Sequence, residues 1–111
     1  MPVVPILNLK GGPLPVSGEF KSPTDTGAVI EVSGSLRSNG APVVIAFQIL
    51  IDSQQVGRSQ IWSNADDVHR ATVPALVAAP KDFNPHTLTL QPIDSNSIGD
   101  QNDYFTAKLI Y

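Results

Sequence analysis

From Ala28 to Arg37 apolar and polar side chains alternate almost residue by residue. Ala28, Ile30, Val32 and Leu36 point one way, and Val29, Glu31, Ser33, Ser35 and Arg37 the other. A period of two is what a strand with one buried face requires, and no helix tolerates it. The beat returns in His86 to Gln91 and in Asp103 to Tyr111, where Phe105, Ala107, Leu109 and Tyr111 share a side. Ten prolines and eight glycines fall mostly between the apolar segments. That punctuation leaves little room for helices and implies short strands. The chain therefore reads as an all-β, antiparallel β-sandwich of about seven to eight strands.

The remaining segments fill in a meander. Ser38-Asn39-Gly40-Ala41 predicts a type I′ turn, because Asn-Gly supplies two positive φ angles, and hence an antiparallel return of the next strand. That strand, Val43 to Ile51, is apolar on both sides, so it lies centrally or presents one side to a subunit contact. Asp52 to Gln55 turns the chain into Val56 to Trp62, and Ser63 to Asp67 turns it into Val68 to Val77. In that last segment His69, Ala71, Val73, Ala75 and Val77 share a face, and Pro74 assigns the strand to an edge or a bulge. Leu14 to Phe20 forms one more short strand. Residues 1–13 are apolar and studded with proline, an extended arm lying against this subunit or a neighbour, ahead of a single domain over 14–111.

Charge limits the partners. Seven Lys and Arg against ten Asp and Glu give a net charge of −3. The cations Lys10, Lys21, Arg37, Arg58, Arg70, Lys81 and Lys108 are scattered singly, so neither nucleic acid nor an anionic membrane surface is a predicted partner. No apolar run approaches the length of a membrane-spanning helix. With no cysteine, disulfides and thiol zinc sites are excluded. The N-terminus lacks the charged region of a signal peptide, which leaves the compartment unassigned and cytoplasmic synthesis the default.

Catalytic chemistry finds no motif. No Gly-x-Ser-x-Gly elbow accompanies His69 or His86, and the reading is of a non-enzymatic protein. Binding residues are easier to nominate. Trp62 ends a strand beside Ser63-Asn64, where its ring either caps the core or stacks on a sugar. Asn64, Asp66, Asp67 and His69 surround it in sequence. Asp94, Asn96, Asp100 and Asp103 lie on a glycine-bent loop of hard oxygen ligands, which makes calcium the one cofactor to consider, although Ile98 and Phe105 stand where ligands of a helix-loop-helix calcium loop belong. An Asx-rich turn explains the same residues. Val44, Tyr104 and Ile110 are the apolar positions left over for an interface, since Tyr104 and Phe105 cannot enter one core together.

Ile-Leu-Ile-Asp-Ser-Gln-Gln-Val-Gly within Phe47 to Gly57, the His-Thr-Leu-Thr-Leu strand from His86 and the closing Asp-Tyr-Phe-Thr-Ala-Lys-Leu-Ile-Tyr resemble two kinds of module. One is the jelly roll of the tumour necrosis factor and complement-head superfamily; the other is the immunoglobulin-like module of bacterial surface proteins. The likeness spans residues 27–111 and rests on strand rhythm, so no site residue is carried over. The jelly roll implies trimers and ligands held by loops; the immunoglobulin-like module implies a spacer or adhesion domain. The function read first is a structural or binding protein that self-associates, as a trimer, through apolar strand faces. The alternative is a lectin-like carbohydrate-binding module that uses Trp62 and the loop carboxylates, with or without calcium.

Overall fold

The computed structural model describes residues 2–111; Met1 of the expected arm lies outside the described residues. The alternating segments become strands: β1 (Val3–Gly11), β2 (Val16–Lys21), β3 (Val29–Ser33), β4 (Ser35–Ser38), β5 (Val43–Ile51), β6 (Gln54–Ser63), β7 (Arg70–Ala71), β8 (Ala75–Ala78), β9 (Pro85–Pro92), β10 (Ser97–Ile98) and β11 (Tyr104–Ile110). Among the described residues there is no helix. Two four-stranded sheets have the orders β1-β11-β3-β8 and β2-β9-β5-β6, and a three-stranded β10-β4-β7 continues the first of them. The first four-stranded sheet with its continuation is sheet I, and the second is sheet II.

β3 and β4 are one ribbon interrupted at Gly34, and β7 and β8 are another interrupted at Thr72–Pro74. The pairing is then nested. The first ribbon pairs with the last (β1 with β11), the second with the last but one (β2 with β9), the third with the sixth (β3 with β8, β4 with β7), and the central two with each other. A long antiparallel hairpin wrapped in this way is a jelly roll. An immunoglobulin-like sandwich pairs its first strands within one sheet instead, so the nesting decides between the two.

The turn chemistry differs from the expectation. Neither Asn39 nor Gly40 has a positive φ, and β4 does not pair with β5. The chain crosses there from sheet I to sheet II, because a jelly roll sends each ribbon to the opposite sheet from its predecessor at this point. The tight hairpin lies at Asp52-Ser53, with φ of 51° and 71°, joining β5 to β6 with Ile51 opposite Gln54. Aspartate tolerates the left-handed region because its short carboxylate bonds local backbone, and Asp52 Oδ1 accepts the amide of Thr87. The expected continuous strand from Val68 to Val77 is likewise broken, and His69 lies outside it. Thr72 turns its amide to the carbonyl of Gly34 and Val73 to that of Gln60, which ties the broken ribbon to both sheets.

Between the sheets, Ile45, Phe47, Ile49 and Ile51 of β5 meet Ile30, Val32, Phe105, Ala107 and Leu109 of sheet I, with Leu88 and Leu90 beside them. Phe47 and Phe105 cross edge to face with centroids 5.5 Å apart, the geometry that aromatic quadrupoles favour. Strand direction fixes the two ends. The turn at Asp52-Ser53 and the loop before β9 close one end; the segments 11–15, 38–43, 64–69 and 93–103 crowd the other, the loop end.

Candidate functional site

Asp103 organises the loop end. Its side chain is wholly buried, at the step from the loop into β11, and a buried carboxylate needs every lone pair answered. Ser35 on β4 donates its hydroxyl to Oδ1 at 2.6 Å, and the amide of Asp100 reaches Oδ2 at 2.9 Å. His69 Nδ1 lies 2.8 Å from Oδ1, so this nitrogen carries the proton. Arg37, also on β4, joins the two acidic loops: Nε to Asp100 at 3.1 Å and Nη1 to Asp67 at 2.7 Å. Its hydrogen bond to Asp100 holds the guanidinium above its ordinary pKa. Asp100 is held below the usual carboxylate range, first by the amide of Asn102 and then by Arg37.

The structure thus brings together residues that the sequence offered as separate sets. His69, Asp100 and Asp103 each place a ligand atom within 4.8 Å of the others, while Asp94 bonds the amide of Asn96 and the hydroxyl of Ser97 in its own turn. The four oxygen-bearing loop residues therefore divide two and two. Asp100 accepts from the amide of Asn102 and from Arg37 Nε, and Asp103 from Ser35, His69 and the amide of Asp100, so each carboxylate oxygen of the pair already has a donor, and the cation against Asp100 is Arg37. Asn64 accepts from Arg70 at 2.8 Å, and Asp66 accepts the amide of Ala41 at 2.8 Å. These loop groups hold the crossing from β4 to β5 against the end of β6. Ser35 bonds Asp103 and not His69, His86 sits at the opposite end, and among the described residues no serine or threonine hydroxyl is hydrogen-bonded to either histidine. Arg37 and Ser35 were not singled out from the sequence. The signal was present in their spacing, two apart on the polar side of the clearest alternating strand.

A second arrangement covers the outer surface of sheet II. Trp62 does not cap the core: 55 % of its surface is exposed. It lies opposite Val44, which is also exposed. Alternation puts Arg58, Gln60 and Trp62 of β6 on this outer side, with Ser59, Ile61 and Ser63 facing in. Gln48 lies opposite Arg58 on one flank and Gln91 on the other, and its amide donates to Gln91 Oε1 at 3.3 Å. Further across, the hydroxyls of Ser17 and Thr89 lie 3.1 Å apart. The result is an aromatic and aliphatic corner continued by a field of amides and hydroxyls. Val44 is accordingly on the surface opposite to Tyr104 and Ile110, which point outward from sheet I, so one interface cannot hold all three.

At the end away from the loops, His86 is bracketed by carboxylates. Nδ1 meets Asp52 at 2.5 Å and Nε2 meets Asp82 at 2.7 Å. Two acceptors on two ring nitrogens require the imidazolium, and the hydrogen bond that His86 donates to Asp52, followed by the one it donates to Asp82, raises its pKa. Both carboxylates are pulled below their ordinary range, chiefly by His86. The raised histidine contributes stability that is complete below its unfolded pKa and is lost as pH rises through the folded one. The lowered aspartates contribute stability present above their unfolded pKa and lost on acidification. The bracket is therefore strongest between about pH 4 and 6.5. We expect Tm to fall by a few degrees between mildly acidic and alkaline buffer. His86→Gln removes most of that alkaline fall in a calorimetric pH series, and a fall of unchanged size in the variant would exclude the bracket as its cause.

No protein-family model and no curated protein matches the sequence. Among solved structures, the native structure of a family 35 carbohydrate binding module from Clostridium thermocellum is similar, with a TM-score of 0.49 and 9 % identity over 96 % of this chain and 86 % of that one.

Proposed function

We propose that this protein is a non-enzymatic binding module whose ligand surface is the outer side of sheet II, and that the ligand is a carbohydrate stacked on Trp62. The observation that carries the reading is the exposed indole of Trp62. Tryptophan is rarely left in water on a strand, because its ring buries more apolar area than any other side chain. A pyranose offers the matching surface, a flat patch of C–H groups ringed by hydroxyls. The C–H patch covers the indole and Val44, and the hydroxyls meet the amides of Gln60, Gln48 and Gln91 and the guanidinium of Arg58. Along β6, Trp62 and Arg58 are four residues apart, about 13 Å of strand, which suits an oligosaccharide better than a single sugar.

In this reading the loop end is structural: its carboxylates bond Arg37, His69 and backbone amides and hold the edge of the platform. Binding should accordingly survive chelation.

Screening on a glycan array, followed by calorimetric titration of a hit, tests the proposal. Trp62→Ala should weaken binding by at least about tenfold while changing stability by less than about 1 kcal/mol. Gln60→Ala should cost less. A blank array, or a hit that Trp62→Ala leaves untouched, would overturn the assignment.

A further inference from the structure

The outer side of sheet I carries a different pattern, independent of the Trp62 platform. Strand register places Val3, Ile110, Val29 and Ala78 in one row across β1, β11, β3 and β8. The next outward row, two residues along, reads Pro5, Lys108, Glu31 and Leu76. Leu76 is 65 % exposed on the edge strand β8, Val29 is exposed on the neighbouring β3, and Val3 is exposed on the opposite edge strand β1. One apolar row and one row with a central ion pair, Lys108 Nζ to Glu31 Oε1 at 3.3 Å, thus lie open to solvent on four adjacent strands.

We infer that this surface docks a second copy of the same chain, face to face, about a two-fold axis that runs parallel to the strands between β11 and β3. Such an axis sets β11 of one copy over β3 of the other at the same height. Lys108 then faces Glu31 of the second copy, and Glu31 faces Lys108, so the charges complement each other twice. In the same operation Ile110 meets Val29, Val3 meets Ala78 and Leu76 meets Pro5, each pair occurring twice. A two-fold contact must be self-complementary, and few arrangements of four side chains satisfy that for both charge and hydrophobicity. The order found here, apolar at both flanks with the two opposite charges on the central strands, does so. A three-fold arrangement, which the resemblance to the tumour necrosis factor jelly roll implies, brings different surfaces of each copy together and makes no use of this symmetry. The face lies across the sandwich from Trp62, so the pair would present two ligand surfaces outward, in opposite directions.

Sedimentation equilibrium on the whole chain, up to about 200 µM, tests the inference. The wild type should be a dimer. Leu76→Glu should raise the dissociation constant at least about tenfold, since it buries an unpaired charge against proline. Glu31→Lys alone should weaken association by setting like charges against each other, and the double variant Glu31→Lys with Lys108→Glu should restore it. Both positions are surface sites, and thermal melts of each variant confirm that the fold survives; within one chain the exchanged pair is worth little. A monomer throughout the range, a trimer, or a dimer indifferent to Leu76→Glu and Glu31→Lys would overturn it.

Discussion

Gly34→Ala should lower the free energy of unfolding by about 3 kcal/mol and Tm by roughly 15 °C. Gly34 is the break between β3 and β4, and its Cα lies against the crossed phenylalanines of the core. A methyl group there would stand 2.4 Å from Cδ1 and 2.8 Å from Cε1 of Phe105, and 3.1 Å from Cε1 of Phe47. Neither ring has free space to move into, because both are fully buried and each fixes the other. The backbone cannot retreat either, since the Gly34 carbonyl accepts the amide of Thr72 at 2.9 Å. Alanine would gain a little by restricting the unfolded chain, which offsets only a fraction of the overlap. Differential scanning calorimetry reads the outcome, and Phe105→Leu combined with Gly34→Ala should recover part of the loss by making room. An unchanged Tm for the single variant would mean that the ribbon does not kink against this aromatic pair.

The second large effect is at Asp103. Replacement by alanine strands the Ser35 hydroxyl, the His69 ring N–H and the Asp100 amide, each a donor aimed at a carboxylate that is itself wholly buried. Unanswered buried donors cost about 1 to 3 kcal/mol apiece. Partial relaxation at the exposed His69 ring reduces the sum, and we expect a loss of about 3 kcal/mol in chemical denaturation. Asp103→Asn should fall between the two: its carbonyl oxygen still accepts from Ser35 and His69, but its NH2 group then confronts the Asp100 amide. The loss should be accompanied by faster amide exchange in the 93–103 segment, which Asp103 ties to β4. Wild-type stability in Asp103→Ala would contradict the network.

These two positions show how unevenly the fold was written in the sequence. The alternating segments were legible because burial of one strand face leaves a mark at every second residue: in the final strand Phe105, Ala107 and Leu109 share the buried side as expected, whereas Tyr111, expected with them, lies beyond the strand and is exposed. β5 was legible as a strand covered on both sides, either central or at a contact; it lies between β9 and β6, and Ala46 and Leu50 are covered as well as Ile45, Phe47 and Ile49. The connection at Asn39-Gly40 was not. An Asn-Gly pair lowers the cost of a type I′ turn wherever it occurs, but whether the chain returns beside itself or crosses to the other sheet is decided by the core, and nothing local records that. The true two-residue turn uses Asp52-Ser53, where tertiary bonds from Thr87 and His86 stabilise a conformation that the residue types only permit.

The candidate site divides in the same way. Trp62 was visible as the sole tryptophan at a strand end, yet outward and inward placements have the same local sequence. Its neighbours Gln48 and Gln91 come from strands distant in the chain and meet only through β5 pairing with β9. Asp94, Asn96, Asp100 and Asp103 formed one group in sequence because a loop with many Asx residues looks alike whether it binds a cation or folds on itself. Arg37 and His69 separate the halves, and those partners arrive from β4 and from the loop after β6.

Because Trp62 is the only tryptophan, the protein's own fluorescence reports on the surface assigned to the ligand. In the free protein the indole should emit at the long wavelengths of a hydrated ring and be quenched freely by iodide. An oligosaccharide that binds should move the emission to shorter wavelength and protect the ring, both saturating at the concentration found by calorimetry. An emission typical of a buried indole, or binding that leaves emission and quenching unaltered, would contradict the account.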